Sequence, residues 1–139
     1  MTTDEAEVRW IIAAQVAGWN RGDARAWSAN CEPDVGFTNI LGMRWETQEG
    51  FETRHAEMFQ GVFADSCLTV DIERLHFPAP NLALAELRTT LTGFRALPPG
   101  IRATTEGRLV TRMLEVLTRH NGHWRVAACH NTAVVPNDR

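Results

Sequence analysis

Arg112-Met-Leu-Glu-Val-Leu-Thr-Arg-His-Asn-Gly-His-Trp-Arg-Val-Ala-Ala-Cys-His-Asn-Thr-Ala-Val-Val135 is the stretch that decides how this chain is read. Asn121-Gly122 supplies the two positive-φ residues of a type I′ turn, so the segment predicts a long β-hairpin. Its return strand carries His130 and Asn131 deep within an apolar run. An imidazole and an amide are costly to desolvate unless something meets them. A ligand is one such partner.

Working back from the hairpin, the residue period is two from Cys67 onward. Cys67–Phe77, Leu82–Phe94, Glu106–Arg119 and His123–Val134 are predicted as long strands. They are separated by Pro78-Ala79-Pro80-Asn81, by Leu97-Pro98-Pro99-Gly100 within a long loop, and by the Asn-Gly turn. The N-terminal half reads differently. Thr2 and Glu5 have the spacing of a capping box, and Val8, Ile12, Val16 and Trp19 share one helical face, with Ile11 beside them, as far as about Asn20. Gly22 stops that helix, and Asp23 caps a short second one over Ala24–Ala29. Val35–Ile40 is predicted as a strand with a short return over Met43–Glu46. Thr47 then caps a third helix, whose apolar stripe is Phe51, His55, Met58, Phe59 and Val62. Three helices with a run of long antiparallel strands predict an α+β domain spanning 1–139, in which a curved sheet wraps the helices and encloses a pocket.

Composition removes several functions. The 139 residues are 44% hydrophobic and carry a formal charge of −3, with basic residues scattered singly, so neither nucleic acid nor a membrane surface is an expected partner. There is no apolar stretch long enough to span a bilayer and no basic, apolar leader at the N-terminus, so a cytoplasmic protein is expected. All fourteen basic residues are arginine, which excludes lysine Schiff-base chemistry, and there is no tyrosine. Cys31, Cys67 and Cys129 are widely spaced and are each expected as small buried hydrophobes. No ligand spacing suggests a metal and no Gly-rich fingerprint suggests a dinucleotide, so no cofactor is expected.

Helix-helix-strand pair-helix and then four long strands is an order of elements that resembles the nuclear transport factor 2-like superfamily, which includes ketosteroid isomerase, scytalone dehydratase and SnoaL-type polyketide cyclases. More narrowly, three segments resemble SgcJ/EcaC-type proteins, some of which are associated with enediyne polyketide biosynthesis. They are Val35-Gly-Phe-Thr-Asn-Ile-Leu-Gly-Met-Arg-Trp-Glu46, Arg54-His55-Ala56-Glu57-Met58-Phe59, and Trp124-Arg-Val-Ala-Ala-Cys-His-Asn-Thr-Ala-Val-Val-Pro136. The resemblance implies a cone-shaped fold, a homodimer formed through the sheet, and an internal pocket for a hydrophobic polyketide or polyene intermediate. It does not imply one reaction. Ketosteroid isomerases place a general-base aspartate at the end of the first strand and a tyrosine on the first helix. Asn39 occupies the first position here and no tyrosine exists for the second, so that mechanism is not carried over.

The candidate catalytic residues are His55, His130 and Asn39. Two imidazoles converging on one ligand would serve as acid and base, with the Asn39 amide orienting the substrate. Core histidines bonded to backbone carbonyls, and turn or bulge chemistry for Asn39 and Asn131, are the competing accounts. His130 and Asn131 point to opposite faces of a regular strand, and His130 is expected to see the pocket because it shares a face with Trp124, Val126 and Ala128. Trp45, Phe59, Asn131 and Arg112 are candidate ligand contacts. Glu86, Arg88, Arg112 and Glu115 interrupt apolar strands, and the outer face is their favoured place. Trp10, Trp19, Trp27 and Trp124 are expected in the core. A cofactor-independent isomerase, cyclase or dehydratase, a binder without chemistry, and an interaction module for a biosynthetic enzyme are the three functions left open.

Overall fold

A computed structural model of the chain describes residues 2–137; the first residue and the last two of the expected 1–139 domain lie outside that range. Three helices, α1 (Thr3–Asn20), α2 (Ala24–Ser28) and α3 (Gln48–Gln60), pack on one curved, unclosed six-stranded sheet. Its strands are β1 (Cys31–Thr38), β2 (Arg44–Trp45), β3 (Cys67–Ala79), β4 (Leu82–Thr92), β5 (Leu109–His120) and β6 (His123–Ala133), in the order β2-β1-β6-β5-β4-β3. β1 runs parallel to β6, and every other pairing is antiparallel.

The caps form where the sequence places them. Thr2 Oγ1 accepts from Glu5 N–H, Asp23 Oδ1 from Ala26 N–H and Thr47 Oγ1 from Gly50 N–H. Each such cap contributes about 1 kcal/mol. Asn121 and Gly122 both take positive φ, closing the β5–β6 hairpin. Along β4 and β5 the period of two is strict: Ala83, Ala85, Leu87, Thr89 and Leu91 face inward, as do Leu109, Thr111, Met113, Glu115 and Leu117. Side-chain bonds fasten α1 to the sheet. Trp124 Nε1 donates to Asp4 and Trp124 N–H to Glu7, while Asn20 bonds both backbone groups of Leu68. α2 lies so close to α1 that a Cβ on Gly18 would stand 2.7 Å from Trp27 N. That contact sets where the Trp27 indole enters the core.

Several expectations are corrected. β1 begins at Cys31 rather than Val35, and β5 at Leu109 rather than Glu106. Trp10 is 62% exposed, because the buried face of α1 runs through Val8, Ile11, Ile12, Gln15 and Trp19 and leaves position 10 outside. Cys67 is exposed on the edge strand. Glu115 is turned inward and 1% exposed, since it stays in phase with Met113 and Leu117 whatever its charge. Glu86, Arg88 and Arg112 are on the outer face, where Arg74 pairs with Glu86 and Arg112 with Glu73.

Candidate functional site

A cavity of about 90 Å³ lies between the helices and the inner face of the sheet. Trp19, Trp27, His55 and Met58 form its helical side; Thr89, Thr111, Met113 and Asn131 belong to its sheet side. Leu41, 44% exposed, marks where the cavity meets solvent, and Pro98 of the long loop also lines it. Thr89 and Thr111 are directly opposed across β4 and β5, and one of their hydroxyls donates to the other in a short contact.

His55 is the ionisable group of this wall that is wholly buried, at 2% exposure. Its place on the apolar stripe of α3 brings it among several aromatic rings. Phe51 lies 4.5 Å away, Phe37 5.2 Å, Trp27 5.3 Å and Trp19 6.0 Å between ring centroids. Nδ1 stands 2.8 Å from the Phe51 carbonyl oxygen, one helical turn back. A carbonyl only accepts, so Nδ1 carries the proton and Nε2 keeps a lone pair. Burial pushes the imidazole down to about 4, with the nearby Arg54 guanidinium acting in the same direction and the Phe51 bond opposing. At neutral pH His55 is therefore an uncharged ring of defined tautomer, offering one basic nitrogen.

His130 does not join it. Val116 pairs with Ala128 while Leu117 pairs with Val126, so Ala127 is an extra residue in β6. This bulge shifts the alternation by one. Trp124 and Val126 face inward before it, and Cys129 and Asn131 after it, leaving His130 exposed on the outer face. The expected pair of imidazoles is thus replaced by His55 and Asn131. Arg112 is likewise outside the cavity, on the outer face with Glu73. Asn39 does line the cavity, yet its Oδ1 accepts from the backbone N–H groups of Leu41 and Met43, which is turn chemistry. Trp45 and Phe59 stand one layer back. Trp45 stacks on Phe37 at 5.8 Å beneath the Arg54 guanidinium, and Phe59 meets Trp19 edge-on at 4.9 Å.

Residues that sequence reasoning did not assign to the site complete the wall. Thr89 and Thr111 are in phase with the inward Leu91 and Leu109, a signal that the period of two contains. Trp27 is in the core as expected, at 4% exposure, and is also among the residues that line the cavity. Among the described residues no group of three or more His, Cys, Asp or Glu is arranged to hold a metal ion, and no helix is long and apolar enough to cross a membrane.

Comparison with known proteins places this geometry. The family profile described as a SnoaL-like domain matches residues 12–127. A protein with a cystatin-like fold from Caulobacter vibrioides is similar at 22% identity and a TM-score of 0.81, covering 96% of this chain and 91% of its own. A ketosteroid isomerase-like protein from Erwinia carotovora is similar at 16% identity and a TM-score of 0.76, covering 98% and 100%. A type 2 hexachlorocyclohexane dehydrochlorinase is similar at 12% identity and a TM-score of 0.78, covering 95% and 86%. No curated sequence matches the chain.

Proposed function

The chain belongs to the SnoaL-like domain family, and from that premise we propose that it binds one end of a hydrophobic small molecule in the His55 cavity and moves a proton there without a cofactor. The reaction class is isomerisation, cyclisation or dehydration, and the substrate is a polyketide-type intermediate of secondary metabolism. The SgcJ/EcaC-like segments narrow the proposal to enediyne biosynthesis. The observation that carries the reaction class is the fixed, uncharged imidazole of His55 at the wall of a cavity lined mostly by apolar side chains. A neutral base in a dry site can take a proton from carbon next to a carbonyl. The dehydrochlorinase and the ketosteroid isomerase-like protein among the similar structures agree with a small-molecule site.

Phenylacetone provides the test, being a single ring with an acidic C–H beside a ketone. In D₂O at pD near 7, the protein is expected to speed deuteration of its benzylic carbon as followed by proton NMR. A second reading, a binder that shelters a reactive intermediate, is favoured by Asn39. The amide expected to orient substrate commits its oxygen to the 41–43 turn. The binder raises the melting temperature with phenylacetone by mass action but leaves the exchange rate at the buffer value.

Two copies are proposed to associate through the outer sheet face, in a cytoplasmic homodimer. Leu114, 39% exposed in the middle of β5, and Val134, 36% exposed, are apolar side chains that such a contact would cover. Leu114→Asp is expected to shift the sedimentation coefficient from dimer to monomer; an unchanged value would exclude this face.

A further inference from the structure

The opening of the cavity has a charge of one sign. Arg54 is the single residue lining it that carries a formal charge at neutral pH, and no aspartate or glutamate belongs to the wall. Arg54 and His55 are consecutive on α3, so their side chains leave the helix about 100° apart. His55 is sealed among the aromatic rings, while Arg54 keeps 31% of its side chain accessible. Of its nitrogens Nε is buried, but the two terminal ones are not, and neither makes a hydrogen bond among the described residues. Glu57 stands 3.8 Å from Nη1 and is 63% exposed, a loose pair that water screens. The Trp45 indole gives the guanidinium a second support, with the central carbon 5.5 Å from the ring centroid.

Asn39 adds a neutral donor. It lines the cavity two residues before Leu41, and its Oδ1 accepts from the backbone N–H groups of Leu41 and Met43. Backbone N–H groups only donate, so they fix which end of the amide is oxygen. Nδ2 is left with two N–H groups, is not buried, and has no acceptor among the described residues. A cationic fork and an amide donor, with no carboxylate in the wall to oppose an anion, suit an oxyanion.

We propose that Arg54 and Asn39 recognise a carboxylate at the outer end of the ligand, so that the substrate is a hydrophobic acid held with its apolar end in the cavity. The proposal rests on the cavity being the binding site. The planar guanidinium presents paired N–H groups that match two carboxylate oxygens. One guanidinium also balances one carboxylate, whereas a phosphate monoester brings nearly two charges. The size of the cavity agrees with this division of the ligand. Its roughly 90 Å³ is less than the ~150 Å³ at which an engineered apolar cavity takes up benzene, so a compact apolar end enters and the remainder stays at the opening. Met58 and Met113, flexible thioethers in the wall, supply further room for that end. Fixing the acid at Arg54 sets the direction in which the ligand enters, apolar end first toward His55.

Three probes of similar length test this by calorimetry at low ionic strength: 4-phenylbutyrate, its methyl ester, and 3-phenylpropyl phosphate. The acid is expected to bind about tenfold tighter than the ester, or more, the effect of a hydrogen bond to a charged group. Added salt narrows the gap. Arg54→Met, which keeps an apolar stem beside Trp45, brings the acid down to the affinity of the ester. Arg54→Lys restores part of the gap, since it returns the charge without the fork. Asn39→Asp keeps an oxygen for the two N–H groups of the turn but replaces the amide donor by a second anionic oxygen. It is expected to weaken the acid about tenfold relative to the ester. Equal affinity for acid and ester, or a preference for the acid that survives Arg54→Met, would overturn the proposal and leave the cavity standing. Tightest binding of the phosphate would overturn the carboxylate in favour of a phosphate site. Failure of these probes and of phenylacetone alike would remove the cavity reading together with the proposal.

Discussion

His55→Gln lowers the rate of phenylacetone deuteration by a factor of about 10²–10⁴, the range expected when a positioned general base is removed. Glutamine keeps a polar group of comparable length but has no titratable nitrogen, so phenylacetone affinity stays within about threefold. That split separates a base from a packing residue, whose loss would weaken binding and stability together. The low resting proton affinity of His55 does not argue against the role. Burial disfavours the imidazolium when it stands alone. In the reaction it forms beside an enolate, and an opposite charge a few ångströms away in a dry site restores much of the lost stabilisation. The same logic predicts no pH-dependent loss of exchange activity from His55 between pH 5 and pH 8, because the free base dominates throughout. An activity that falls through pH 6.5 on acidification would mean that the ring is solvated, and full activity in the glutamine variant would mean that it is not the base.

The second large effect concerns Glu115, which is sealed in the core behind the cavity. Its carboxyl sits with Gln15 and is opposite Cys129 in the sheet; one of its oxygens has no partner among the described residues. Burial raises the carboxyl from 4.5 to about 7, with the Gln15 hydrogen bond opposing. The buried thiols of Cys31 and Cys129 are pushed up by burial first and by Glu115 second. The native state thus holds the Glu115 proton more tightly than the unfolded chain does. Its contribution is complete below pH 4.5 and is lost as pH rises from there through 7. At roughly 1.4 kcal/mol per pH unit the loss amounts to about 3 kcal/mol. His55 works in the opposite sense. Its native value lies below the ordinary 6.5, so stability is present above 6.5 and is lost as pH falls toward 4. The two slopes cancel between about pH 4.5 and 6.5 and part company above it. Glu115→Gln is therefore expected to stabilise the protein by about 2–3 kcal/mol at pH 8 and to change it little at pH 5, measured by urea unfolding at both values. Equal effects at the two pH values would show that the carboxylate reaches water in the native protein.

How far these groups could be read from the chain differs by residue. The three helix caps, the Asn121-Gly122 turn and the inward alternation of β4 and β5 depend on neighbours within a few positions, and local chemistry places them. Glu115 was legible in the same way, being in phase with Thr111, Met113 and Leu117, but its charge argued for the outer face. In the folded chain the phase of the strand prevails, and burial makes the carboxyl hold its proton more tightly. The Ala127 bulge was not legible, because it arises from how Leu117 and Val116 pair across the sheet rather than from any residue in β6. That one extra residue exchanged His130 for Asn131 at the cavity. Trp10 was legible as exposed, because it lies off the helical face shared by Val8, Ile12 and Trp19, but its aromatic character argued for the core. Trp27 was legible as core; the close passage of α2 against α1 at Gly18 was not, because it depends on how the two helices pack.

The most direct measurement is a nitrogen-15 and proton NMR titration of the His55 ring, with and without phenylacetone. The proton should reside on Nδ1 at neutral pH, the ring should titrate near 4, and Nε2 should shift when phenylacetone is added. A proton on Nε2, titration near the ordinary 6.5, or an Nε2 resonance indifferent to the ketone would contradict a base held against a ligand cavity.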